Sequence, residues 1–213
     1  MSTAELGKPK SKRERTRDSL VAAAEELFAL RGPDAVSIDE ITAAAEVAKG
    51  TFYTHFADKE DIERAIVIAA RKELEAEVGC VNTGIDDAGV RMANGLATYL
   101  SFPVRQPVRA RTLVRLMSTG ADPESPMNSG IRGDVVLGVN NKRFDVVSIN
   151  AAVVAAIGAC VGGVAYLVDT PKARAERAAS DVIATVLRSL GMKMAEAKKL
   201  AEAAAASAFQ RRT

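Results

Sequence analysis

Between Lys49 and Lys59 the chain gathers two lysines, two threonines, a tyrosine and its one histidine. These side chains suit hydrogen bonding to phosphates and base edges. A lysine ammonium can donate to guanine O6 or N7, a threonine can set its methyl against thymine, and Gly50 lets a backbone come close. Phe52 and Phe56 are four residues apart, so a helix that buries both turns Lys49, Thr51, Tyr53 and Thr54 outward. His55 invites a metal or catalytic reading, but zinc needs His or Cys companions, and the chain's two cysteines, Cys80 and Cys160, form no ligand pattern with it. A Cys-His nucleophile pair would have to reach a position already committed to this helix. No catalysis, metal or cofactor is expected.

The elements that must position these groups can be read upstream. Ser11 with Glu14 predicts a capping box opening a helix over Lys12–Leu30, with Leu20, Ala24, Leu27 and Phe28 at helical spacing and a stop at Gly32 and Pro33. Ser37 with Glu40 predicts a second box, and Val36 and Ile41 are placed as a hydrophobic staple, for a short helix to about Ala45. Glu46 and Val47 must then turn tightly into a helix over Lys49–Phe56. Asp58, followed by Glu60 and Asp61, starts a long helix toward Val78. Two short helices around a tight turn, the second with a polar outer face, have the layout of a helix-turn-helix, whose second helix enters the major groove.

The individual residues carry a resemblance. Thr16-Arg17, Ala24, Leu27-Phe28, Gly32, Ser37, Ile41, Ala45, Val47, Lys49-Gly50-Thr51-Phe52-Tyr53, His55-Phe56 and Lys59 to Ile62 follow one another without a gap. This stretch resembles the DNA-binding region of the tetracycline-repressor (TetR) family, most specifically in the string KGTFYTHFADKEDI. The departures are Thr42 where the family often has Ala, Glu46 where the turn usually has Gly, and Ala48 where Ser commonly caps the recognition helix. Glu46 is therefore expected at positive φ, and Ala48 supplies no capping oxygen. The resemblance implies that Lys49, Gly50, Thr51 and Tyr53 approach the groove and that Ser37, Tyr53, His55 and Lys59 approach phosphates. Thr54 joins the DNA-binding candidates by its outward position on the same helix. It also implies an all-α fold of nine or ten helices: a basic arm and DNA-binding domain over residues 1–57, then an effector-binding and dimerisation domain over 58–213, with a tail from about 191.

Bulk properties agree. Hydrophobic residues make up 48%, aromatics 4%, and Trp is absent, so the apolar content is largely aliphatic and favours packed helices over a β-sandwich. The net charge of +2 is unevenly spread. Lys8, Lys10, Lys12, Arg13, Arg15 and Arg17 face only Glu5 and Glu14, a basic arm able to neutralise phosphates. The N-terminus has no apolar run suited to a secretory signal, and the cysteine usage fits a reducing cytosol; a cytoplasmic location is expected.

Beyond Gly84, helices are expected over about Asp86–Ser101, Val108–Thr119 and Met127–Asn140, divided by Pro103, Pro107, Pro123 and Pro126. A long helix follows Phe144, and Thr170 with Pro171 looks like the N-cap and first position of another, ending near Leu190. The alanine-rich tail favours helix by propensity but shows no strong apolar stripe. Val146 to Val168 carries no formal charge and is long enough to span a bilayer. Its small residues equally suit a helix buried on nearly all sides, and no membrane is the stronger expectation. By the resemblance, this helix and the next form a dimer bundle, with Gly158, Gly162 and Gly163 in the interface. The middle helices enclose a pocket for a small, largely apolar effector, with Met92, Leu96, Tyr99, Leu113, Leu116, Met117, Met127, Ile131 and Phe144 as candidate lining. The function so implied is a homodimeric regulator, a repressor by family habit, that binds a palindromic double-stranded DNA operator. A helical binding or scaffold protein not acting on DNA, and a membrane-tethered regulator, are the alternatives.

Overall fold

The computed structural model describes residues 11–116 and 123–211. Among them regular structure is entirely helical, with ten α-helices and two 3-10 turns. The chain divides into two compact units between Ile66 and Val67. That division falls inside a helix. The reason is that Ile62 and Ile66, on the first turns of that helix, are buried core residues, not linker.

In the first unit, α1 (Lys12–Arg31) opens on a complete capping box: Glu14 N–H donates to Ser11 Oγ and Ser11 N–H to Glu14 Oε2. Gly32, at φ 83°, ends it. Lys8 and Lys10 of the basic arm lie outside the described residues. A 3-10 turn (Pro33–Ala35) leads to α2 (Ile38–Ala44), which repeats the device with Ser37 and Glu40. Val36 and Ile41, the expected staple pair, are both buried. Then come α3 (Lys49–His55) and the start of α4 (Lys59–Val81). Leu20, Ala24, Phe28, Ile41, Phe52 and Phe56 complete the core.

In the second unit α5 (Ala88–Arg105) is central, packing on α6 (Pro107–Leu116), α7 (Ser129–Asn140), α8 (Ile149–Val168), α9 (Lys172–Ser189) and α10 (Met194–Gln210). Asp87 caps α5, accepting from Val90 N–H at 2.8 Å. The helix runs on through Pro103, past the expected end at Ser101, because a proline in the last turn costs the ladder only one donor. A 3-10 turn (Pro126–Asn128) replaces the expected start of the seventh helix at Met127. The N-cap of α9 is Pro171, not Thr170, whose hydroxyl instead donates back to the Tyr166 carbonyl at 2.8 Å.

Two expectations are overturned here. The tail does have a stripe: Ala197, Ala201, Ala204, Ala205 and Ala208 recur at helical spacing and are buried where α10 packs on α9 and α5. Methyl groups make a weak hydropathy signal but a close-packed face. Gly191, at φ 92°, allows the sharp turn into this helix; a Cβ there would stand 2.9 Å from the Asp145 carbonyl. Second, α8 is not buried on nearly all sides. It packs on α5, α6, α7 and α9, yet Val154, Gly158, Gly162 and Tyr166 form an exposed i, i+4 line along it.

Candidate nucleic-acid interface and ligand cavity

The turn between α2 and α3 is closed by Val47 N–H donating to the Thr42 carbonyl at 3.0 Å, with Glu46 at φ 55° in the left-handed region. The strain expected of a non-glycine residue is therefore present. Ala48 caps α3 with no side-chain oxygen, also as expected, so propensity and capping contribute little to this helix. It is held from beneath. Phe52 and Phe56 are buried with ring centroids 5.6 Å apart, and the Arg17 guanidinium lies 5.0 Å from the Phe56 centroid. Burying two such rings contributes about 3 to 6 kcal/mol, well above the cost of a missing cap.

On the outer face Lys49, Gly50, Tyr53 and Thr54 are exposed, whereas Thr51 and His55 are half-buried. A Cβ at Gly50 would meet nothing within 4 Å, so its use is to leave backbone accessible rather than to relieve a local clash. Thr54 Oγ1 donates to the Gly50 carbonyl at 3.2 Å. Lys49 Nζ is ion-paired with Asp39 Oδ1 of α2 at 2.8 Å, and that hydrogen bond holds the ammonium protonated above its ordinary range. Ser37 Oγ is engaged in its capping box. Lys59 differs most from expectation: its Nζ donates to the carbonyls of Pro33 at 2.9 Å and Val36 at 3.3 Å, tying the α1–α2 connection to α4. Asp39 and Arg17 were not singled out as partners by sequence, because both contacts join different elements.

The second unit encloses a cavity of about 310 Å³. Its wall is mainly apolar, with Leu74, Val78, Leu96, Leu113, Ile131 and Val161 among the lining residues. Arg71, Glu75, Tyr99, Asn128, Asp134 and Cys160 also line it. Tyr99 Oη donates to Glu75 Oε1 at 2.6 Å. Burial first, and the Glu75 carboxylate second, push the Tyr99 hydroxyl far above its ordinary range. Arg91 Nε donates to Asp134 Oδ1 at 2.6 Å. Burial raises the Asp134 carboxyl, and Arg91 opposes that shift. The Cys160 thiol is pushed up to about 12 by burial, so it adds no charge to the wall.

Residues 20–66 match the family model described as "Bacterial regulatory proteins, tetR family". Over this stretch the chain is similar to the tetR family. Among curated TetR-family relatives, the HTH-type transcriptional repressor DhaR of Mycobacterium sp. (strain GP1) is 32% identical over 85 residues, covering 40% of this chain and 41% of the relative. The repressor BepR of Brucella suis biovar 1 (strain 1330) is 38% identical over 66 residues, covering 31% and 32%. The matched stretches thus span less than half the length of these curated relatives. A longer match is to the crystal structure of RolR in complex with resorcinol: TM-score 0.61, 26% identity, 89% of this chain and 94% of that one.

Of the pocket residues expected from the sequence, Met92, Leu96, Tyr99, Leu113, Leu116 and Ile131 line the cavity. Met117 lies outside the described residues. Phe144 does not line the cavity. It is buried against Gly138, where an added Cβ would fall 2.1 Å from the ring, so it serves the core. Met127 is absent from the wall too; its backbone carbonyl accepts from Arg71 Nη2 at 2.9 Å. The charged lining was missed because Arg71 and Glu75 read as the solvated side of an amphipathic helix. Of the three glycines, Gly158 and Gly162 are exposed, but Gly163 packs inside its own unit, where a Cβ would stand 2.6 Å from Leu100 Cδ2. Gly162 and Tyr166 line a groove with Arg177, Asp181 and Thr185 of α9.

Proposed function

We propose that this chain is a sequence-specific transcriptional regulator of the TetR family, a repressor, that grips a palindromic operator as a homodimer and releases it when a small, largely apolar effector occupies the cavity. The observation that carries this reading is the outer face of α3, presented on buried Phe52 and Phe56 within the stretch that matches the family. The arrangement suits insertion of α3 into a major groove, with Lys49, Gly50, Thr51, Tyr53 and Thr54 toward bases and Ser37, Tyr53 and His55 toward phosphates. The likeness to RolR, whose structure holds resorcinol, supports a small-molecule role for the cavity. A soluble protein of the cytoplasm fits such a role.

The second copy is assigned to the exposed line of α8 and the neighbouring groove of α9, where Gly162 admits close approach and Tyr166 supplies apolar area. Two-fold pairing there would deliver two recognition helices to half-sites about one helical turn apart. Selection of bound fragments from genomic DNA tests the proposal as a whole. A recovered palindrome with half-sites about 10 base pairs apart is the expected result. Binding without any preferred sequence would overturn it. Effector and operator must each weaken the other's binding by the same factor, about 5-fold to 150-fold for typical coupling.

A further inference from the structure

The cavity wall is apolar along most of its extent but not at one corner. There α4 supplies Arg71 and, one turn later, Glu75; Tyr99 comes from α5, Asn128 from the 3-10 turn and Asp134 from α7. Most of the polar capacity is already used. Asp134 is held by Arg91, the Tyr99 hydroxyl donates its hydrogen bond to Glu75 Oε1, and Arg71 Nη2 donates to the Met127 carbonyl and to Asn128 Oδ1 at 2.6 Å. What remains is specific. Among the described residues Glu75 Oε2 accepts no hydrogen bond, and Arg71 Nε is buried with no partner. No ion pair joins Arg71 to Glu75 among those residues. Gly130 of α7 keeps the space beside Glu75 open, since a Cβ there would stand 2.8 Å from Oε2.

Resting on the regulator reading above, we propose that this corner selects a neutral, hydroxyl-bearing effector, a phenol or alcohol on a compact apolar body, whose hydroxyl donates to Glu75 Oε2 and accepts from the Arg71 guanidinium. The charges of the corner balance, with Arg71 and Arg91 against Glu75 and Asp134. A carboxylate ligand would gain Arg71 but meet the half-buried Glu75 and the buried Asp134, and a cationic ligand would gain Glu75 but meet Arg71. Each would pair with one charge of the corner but set a like charge against the other in a poorly solvated wall, which offsets the gain. A ligand with no polar atom would displace water from Glu75 and Arg71 and replace none of its hydrogen bonds. A hydroxyl, one donor with two acceptor lone pairs, serves both groups at once. The cavity is at the small end of the usual range for ligand sites, which favours a body of one or two rings.

The test uses the full-length protein and three probes with one skeleton: 2-naphthol, 2-naphthoate and 2-naphthylmethylammonium, titrated calorimetrically at pH 7. The naphthol is expected to bind at least about tenfold more tightly than either ion. In Glu75→Leu, naphthol should weaken by about tenfold while rejection of naphthoate relaxes. Arg71→Gln, which keeps polarity without charge, should instead admit the ammonium. Tyr99→Phe should leave the ranking of the three probes unchanged. Tighter binding of either ion to the wild type, or no naphthol binding at millimolar concentration, would overturn the proposal. DNA binding by the same samples separates this outcome from failure of the regulator reading. Naphthol that binds but never alters DNA affinity sinks the regulator reading and spares the corner. Intact DNA binding with naphthoate preferred does the reverse.

Discussion

Lys49 of α3 and Asp39 of α2 form a 2.8 Å ion pair across the helix-turn-helix, on the face assigned to DNA. Both side chains are more than half exposed, so the pair adds little to folding. Its consequence is for binding. To reach a base, the Lys49 ammonium must leave a carboxylate that would itself repel phosphates. Asp39→Asn should therefore tighten DNA binding without moving the melting temperature. Lys49→Ala should weaken operator binding by roughly ten- to hundredfold with relaxed preference at one base. Fluorescence anisotropy against single-base operator variants checks both, and a uniform loss across all sequences would make Lys49 a phosphate contact.

Lys59 is expected to act on the fold more than on DNA. Its ammonium satisfies two backbone carbonyls, so Lys59→Met should cost about 1 to 3 kcal/mol in urea unfolding. The slope of log K for DNA against log salt should stay unchanged. A slope lower by about one unit, with stability intact, would return Lys59 to the phosphate contacts.

The glycines of α8 separate two roles. Gly163→Leu must force a side chain against Leu100 and should destabilise the protomer by about 1 to 3 kcal/mol. A Cβ added at Gly162 meets nothing within 4 Å in its own chain, so the Gly162→Leu protomer should melt normally. Sedimentation should then find Gly162→Leu monomeric. A wild-type-like dimer would remove this face from the interface.

Acid should weaken the first unit through Glu40. Hydrogen bonds from Ser37, first the backbone and then with the Arg31 pair, lower its carboxyl to about 2. A group depressed in the folded state stabilises above its ordinary value, 4.5, and the contribution is lost as pH falls from there toward about 2. Glu40→Gln should flatten that part of the stability profile. Urea titrations between pH 5 and 2 would show it, and parallel profiles for the two proteins would count against the assignment.

How much could be read beforehand depended on the range of the physics involved. Capping boxes at Ser11 and Ser37 and the inward pair Phe52 and Phe56 each depend on residues within about one helical turn, so the pattern alone carries them. The strained Glu46 turn and the uncapped Ala48 followed from comparing those positions with the family's usual residues. Contacts between elements do not announce themselves this way. That Lys59 ties down Pro33, that Asp39 restrains Lys49, and that Gly163 faces Leu100 while Gly162 faces outward are outcomes of packing. The cavity shows the same division. Part of its apolar lining, Met92, Leu96, Leu113, Leu116 and Ile131, was implied by the family resemblance, but Arg71 and Glu75 could be assigned to a cavity wall only once α4 had packed with its neighbours. The alanine stripe of α10 was invisible for a related reason: each methyl buries little area, and close-packed geometry on α9 and α5 is what gives those methyls their stabilising contacts.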